Sequence, residues 1–150
     1  MERTNADKLL GSGTVHGVKG IILLPDGCEA PSFFRTLKDE GVNLSKKGYT
    51  YSWQSDGLIN IYTRTYSDAE WSQLEAKGAV FLPAAGESNW RYSGSKDVNS
   101  PNSSLVYWST SNAGEEHAES IYFSPTQIII PLGSYRLSGL SVRLVSHYQP

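Results

Sequence analysis

The sequence predicts an α+β fold, with short antiparallel strands, one or two helices and long loops. Three observations carry that prediction. Short apolar runs such as Ile21-Ile22-Leu23-Leu24 and Ala79-Val80-Phe81-Leu82 each stop at a proline, as buried strands do. Ser67-Asp68-Ala69-Glu70 carries a helix-start signal. The length, 150 residues, suits one domain spanning 1–150 with a core of its own.

The elements follow in order. Residues 1–13 end in Gly11-Ser12-Gly13 and read as a flexible lead-in. Ile21 to Leu24 is a strand stopped by Pro25-Asp26-Gly27. Residues 29–48 are ambiguous, and Ser32 to Glu40 can form a short helix with Phe33, Phe34 and Leu37 inward. Tyr49-Thr50-Tyr51-Ser52-Trp53 alternates like a half-exposed strand. Ser55-Asp56-Gly57 then turns the chain, and Leu58 to Thr63 is expected to return as a hairpin.

The strongest local signal is a capping box, with Ser67 as N-cap and Glu70 three residues on. Trp71 and Leu74 share a helical face, Lys77 suits the C-terminal end of the dipole, and Gly78 suits the residue beyond it. A helix over 68–77 is expected, and then a strand from Ala79 to Leu82. Residues 86–105 are almost free of aliphatic side chains until Leu105 and read as a long ligand loop. Strands are expected at 106–110, 120–123, 127–130 and 140–145, with polar loops at 111–116 and 132–139.

Several function classes are excluded. The net charge of −2 gives no basic footprint for nucleic acid. A single cysteine, Cys28, allows no intramolecular disulfide and no thiolate zinc cluster. No apolar run approaches the roughly 18 residues of a membrane span, so no direct membrane insertion is expected. The first residues lack the apolar core of a signal peptide. Gly11, Gly13, Gly17 and Gly20 precede the first strand and do not match a dinucleotide fingerprint. Neither a phosphate loop nor a nucleophile elbow is present.

His16, His117 and His147 have no ligand spacing. Glu115 and Glu116 are adjacent, which suits a solvated turn better than a catalytic carboxylate pair. Asp97, Asn99 and Asn102 offer oxygen atoms for Ca²⁺ but lack the glycine and closing glutamate of an EF-hand loop. Turn chemistry explains them better. No catalytic residue, metal or cofactor is therefore expected.

What remains is an aromatic and small-polar surface. The chain has nine Tyr and four Trp. Trp90, Tyr92, Tyr107, Tyr122 and Tyr135 lie in or beside the late loops and strands, among Ser, Asn and Gly. That composition matches binding surfaces in which rigid aromatics anchor and small polar residues adapt. Trp90 and Arg91 stand together as hot-spot types. Trp71 and Trp108 are expected in the core, and Trp90 at the surface.

Three segments then carry a resemblance. They are Val80-Phe81-Leu82-Pro83-Ala84-Ala85-Gly86, Val106-Tyr107-Trp108-Ser109-Thr110-Ser111 and Gly139-Leu140-Ser141-Val142-Arg143-Leu144-Val145. Their order resembles C-type-lectin-like domains of gut-bacterial surface proteins. The stretch from Gly17 to Asp26 and the Glu70-Trp71-x-x-Leu74-Glu75 helix fit the same group. The chain is also similar to the variable proteins of diversity-generating retroelements. In those, a fixed framework displays diversified binding residues.

The resemblance implies a C-type-lectin-like fold, a cell-surface or extracellular location, and more chain before the segment that starts here. It implies framework roles for Trp108, as a buried indole, and for Val142 to Val145, as a central strand. It implies ligand-binding roles for Trp90, Tyr92, Leu105, Asn112, Glu115, His117, Ser120, Tyr122 and Tyr135. Two departures narrow the function. Ser100-Pro101-Asn102 and Trp108-Ser109-Thr110 lack the acids of calcium-dependent sugar lectins, and one cysteine does not match the formylglycine-generating enzymes of this fold.

The expectation is thus a non-enzymatic, adhesin-like module that binds a protein or glycan on another cell surface without calcium. The alternative is a structural or assembly domain of a larger surface or phage protein. A glycan-active enzyme would need a carboxylate pair about 5–9.5 Å apart around a cleft.

Overall fold

The computed structural model describes residues 9–37, 39, 50–52, 61–88, 100–125 and 127–142. In chain order its elements are β1 (Leu10–Val15), β2 (Val18–Leu23), β3 (Thr50–Ser52), β4 (Thr65–Tyr66), α1 (Asp68–Ala76), β5 (Val80–Pro83), β6 (Leu105–Asn112), β7 (His117–Phe123) and β8 (Gln127–Tyr135). They form two four-stranded sheets, ordered β4-β1-β2-β5 and β3-β8-β7-β6. The fold is α+β.

The uninterrupted apolar run Ile21 to Leu24 now has a cause. Ile21 packs with Leu82, Leu105, Tyr107, Phe123 and Ile128, between the two sheets. Ile22 points the other way, into a cluster with Val15, Tyr66, Trp71 and Leu74 beneath α1. The first sheet is therefore covered on both faces, and a strand buried on both faces has no polar alternation to keep. Among the described residues no helix is long and apolar enough to cross a membrane.

Helix α1 follows the local code. The Ser67 hydroxyl accepts from the Glu70 N–H at 3.3 Å, and the Glu70 carboxylate accepts from the Ser67 N–H at 2.9 Å. Trp71 and Leu74 are its buried residues. Gly78 ends it at φ +84, a left-handed conformation that favours glycine. The Ser67 N–H holds the Glu70 carboxyl below its ordinary 4.5, helped by the Ser67 hydroxyl and the Arg64 guanidinium. A carboxyl lowered by folding contributes stability above its unfolded pKa and loses that contribution as pH falls through the folded one. Thermal midpoints taken from pH 6 down to pH 3 should fall less steeply in Glu70→Gln than in the wild type. Ser67→Ala should cost about 1 kcal/mol at neutral pH, read by denaturant unfolding.

Four local expectations need correction. The lead-in over 1–13 fails for its described part, because Leu10 to Val15 is a paired strand. Its glycines are places of close approach rather than hinges. A Cβ on Gly11 would meet the Arg35 carbonyl oxygen at 2.6 Å, and one on Gly13 would meet the Arg64 carbonyl oxygen at 2.6 Å. Gly13→Ala should therefore cost about 2 kcal/mol by overpacking. An unchanged denaturation midpoint would show that this strand contact is looser than described.

The short helix from 32 is replaced, over the described residues, by turns and a bridge to β1. The Leu37 N–H donates to the Leu10 carbonyl at 2.8 Å, and Thr36 bridges Gly11. Phe34 and Leu37 are buried as expected, but the Phe34 N–H closes a turn onto the Pro31 carbonyl at 2.9 Å and the Leu37 N–H serves β1. The hairpin between 49–53 and 58–63 is corrected over its described residues alone, since 49 and 53–60 lie outside them. Strand β3 pairs with β8, Thr50 opposite Ile129, while Ile61 and Tyr62 form a turn.

The expected loop at 132–139 starts late, because β8 runs on to Tyr135 through Pro131 and Gly133. Pro131 fits there because the β7–β8 register shifts between Ser120 and Tyr122, and proline is tolerated at such irregularities. Of the long 86–105 loop, the ends are pinned. The Gly86 N–H donates to the Ser104 carbonyl at 2.9 Å, and the Asn102 N–H to the Ala84 carbonyl at 2.7 Å. Residues 89–99 lie outside the described residues, as do 143–145 of the expected final strand.

Candidate functional site

Strand β6 changes character along its length. Leu105, Val106 and Tyr107 are buried, Trp108 is half-buried, and Ser109 to Asn112 are exposed. Its register with β7 shifts between Trp108 and Asn112. A bulge bends a strand and re-aims its side chains. The shift begins beyond Trp108, which still pairs in register with Ser120, and it separates the half-buried indole from the exposed end of the strand.

The hairpin tip is held by one side chain. The Arg136 main-chain N–H donates to the Glu116 carbonyl at 3.0 Å. Its Nε donates to the Glu115 carbonyl at 3.2 Å, and its Nη2 to the Gly114 carbonyl at 3.2 Å and to Asn112 Oδ1. Asn112 Oδ1 also accepts from the Gly114 N–H at 3.2 Å, closing an Asx-type turn. Beside this clamp His117 and Tyr135 stand opposite each other on β7 and β8, with ring centroids 4.2 Å apart.

Two adjoining depressions share Trp108 and Ser109. The first, about 270 Å³, is lined also by Leu23, Val80, Leu82, Tyr107 and Ile121. It opens where the two sheets part, and its other walls are mostly apolar. The second, about 240 Å³, is completed by Ala118 and Arg136. The two depressions thus meet at Trp108 and Ser109 of β6, the first with apolar walls and the second bordered by Arg136. The arrangement provides hydrophobic burial, aromatic contact and directional hydrogen bonds in one place, the usual composition of a ligand site.

Arg136 has no carboxylate partner at ion-pair distance among the described residues. The ion pairs among the described residues are His16–Asp68 and Arg64–Glu70. Arg136 is held by carbonyl and amide oxygens, which orient the guanidinium without neutralising it. Elsewhere, burial and then the neighbouring Tyr122 push the Tyr62 phenol well above its ordinary value. Among the described residues no group of three or more His, Cys, Asp and Glu is placed to hold a metal ion.

The expected site residues divide clearly. Asn112, Glu115, His117 and Tyr135 come together at the hairpin end; Asn112 and Glu115 are exposed, His117 and Tyr135 half-buried. Tyr122 is half-buried further down β7, between Val106 and Ile129. Leu105 is corrected to a core residue, fully buried opposite Phe123. Ser120 is corrected likewise. It is fully buried, with its hydroxyl 2.7 Å from that of Ser134. Neither side chain reaches a ligand. Trp90 and Tyr92 lie outside the described residues.

Two assignments on β6 were reversed. Tyr107, expected at the surface, is buried, and its hydroxyl donates to the Pro83 carbonyl at 3.2 Å. Trp108, expected in the core, lines both depressions. Strand alternation places neighbours on opposite faces, so fixing either residue fixes the other. Val142, expected inside a central strand, is exposed. Arg136 was missed altogether, because it fell in what read as a polar loop. Asn102 does serve as turn chemistry, with φ of 55 and its side chain accepting from the Lys19 N–H at 2.9 Å.

Comparison with family models, with curated proteins and with solved structures gives no match.

Proposed function

We propose that this chain is a non-enzymatic, adhesin-like binding module with a C-type-lectin-like scaffold. One observation carries the reading: the bulged end of β6 opens two adjoining depressions around a half-buried Trp108, beside the Arg136 clamp. Rigid strands hold the floor, and the exposed hairpin from Ser109 to Glu116 forms the rim. Scaffolded loops beside a rigid sheet are common sites of recognition. Asn112, Glu115 and His117 supply polar contacts at the rim, and Trp108 with Tyr135 supplies aromatic surface. The partner is a protein or glycan on another cell surface.

The test is a screen of the purified chain on a glycan array and on a panel of host and bacterial surface proteins, with and without Ca²⁺. Calcium-independent capture that weakens in Trp108→Ala supports the reading. Glycan capture that disappears with chelator would instead favour a calcium lectin using Asp97, Asn99 and Asn102. Silence on both panels would favour a second reading, an assembly domain of a larger surface or phage protein. The exposed Leu137 and Val142 favour that second reading, and self-association in sedimentation experiments would support it.

A further inference from the structure

We infer that the Trp108–Arg136 surface selects peptides in which a carboxylate stands next to a large apolar side chain. The inference rests on the binding-module reading and names its ligand class. Three observations converge on it. First, Arg136 is fixed but not neutralised. Its Nε and Nη2 donate to the Glu115 and Gly114 carbonyls and to Asn112 Oδ1, all uncharged acceptors. The two donors on Nη1 have no partner among the described residues. A guanidinium in this state is preorganised, so little freedom is lost when a carboxylate arrives.

Second, the depression that Arg136 borders shares Trp108 and Ser109 with the apolar groove. Leu23, Val80, Leu82 and Ile121 line that groove. A sugar presents hydroxyls on every edge and would leave them unpaired against four aliphatic side chains. An aliphatic or aromatic peptide side chain matches the groove, at roughly the size of one or two such groups. Third, the exposed Ser109 lines both depressions; its hydroxyl oxygen accepts from the Ser111 N–H at 3.0 Å, which leaves its O–H to donate to a peptide carbonyl.

The carboxylate has two sources within a peptide, the chain's own C-terminus or an Asp or Glu side chain. A peptide array distinguishes them. Each sequence is displayed with a free C-terminal acid and with a C-terminal amide, varying the last residue and its neighbour. The full chain should bind free acids ending in Leu, Ile, Val, Met or Phe about tenfold or more tighter than their amides, the size of a lost charge-assisted hydrogen bond. Binding that follows an internal Asp or Glu regardless of amidation would support the carboxylate assignment and name the other source.

Arg136→Gln should erase the preference. Arg136→Lys should restore part of it, and the wild-type preference should shrink between 50 and 500 mM salt. These two readouts keep the test informative if Arg136→Gln loosens the hairpin. Equal binding of acids, amides and acid-free peptides, or binding of none, would overturn the inference. A chain that captures a ligand on the glycan and protein panels yet shows no acid preference here would overturn the carboxylate assignment alone. A chain silent in both would overturn the binding-module reading as well.

Discussion

Phe123→Ala lowers the unfolding free energy by about 3–5 kcal/mol. Phe123 is 1% exposed and sits between the sheets with Ile21, Leu82, Leu105, Tyr107 and Ile128. It pairs with Leu105 on β6 and with Ile128 on β8, so its ring holds three strands of the second sheet to the first. Removing it leaves a cavity that strands on either side cannot close without breaking their ladders. Marginal domains carry only about 5–15 kcal/mol of net stability, so this single change consumes a large part of it. Denaturant unfolding followed by far-UV circular dichroism reads the effect. A loss below about 1 kcal/mol would show that the inter-sheet core is not shared in this way.

Trp108→Ala has the opposite profile. The indole is half-buried and stands where the β6–β7 register shifts, so its loss costs the fold less than the loss of Phe123. It lines both depressions, and its removal merges an apolar wall with a polar one. Central tryptophans of binding surfaces cost about 2 kcal/mol or more when truncated, which is about 30-fold in affinity. Binding and stability should therefore separate in this pair of variants. Phe123→Ala weakens folding most, and Trp108→Ala weakens recognition most. A Trp108→Ala chain that unfolds as readily as Phe123→Ala would place the indole in the core after all.

The sequence was most informative where structure is local. The capping box of Ser67 and Glu70 and the Gly78 terminator need no distant partner, and α1 spans the residues they bracket. Strands β2 and β5 and the apolar parts of β6 and β7 were visible for a similar reason, as short apolar runs near turn residues, whereas the polar extensions 111–112 of β6 and 117–119 of β7 were not. Pairing was less visible. Strand β3 meets β8, far along the chain, and nothing near Thr50 records that partner. Gly11 and Gly13 read as flexibility because the Arg35 and Arg64 carbonyls that require them lie elsewhere in sequence.

The site was legible in part. Composition located the hairpin end, and Asn112, Glu115, His117 and Tyr135 do gather there around Arg136. Burial separated the rest. Leu105 lies on the face of β6 that meets the inter-sheet core, whereas Ser120, opposite Trp108, is buried beside Ser134 of β8. Trp108 faces away from Tyr107 by strand alternation, and alternation alone does not say which of the two neighbours meets the core. Arg136 matters through its three side-chain acceptors, which only the folded hairpin assembles.

The central claim is that recognition occurs at the Trp108–Arg136 surface. The most direct test compares the wild type, Trp108→Ala and a distant surface variant, His16→Ala, against the tightest ligand captured on the glycan and protein panels. Circular dichroism and thermal unfolding first establish that all three chains are folded. The account predicts affinity unchanged in His16→Ala and reduced about 30-fold or more in Trp108→Ala. Equal affinity in a folded Trp108→Ala chain would contradict it and move recognition to another face of the molecule.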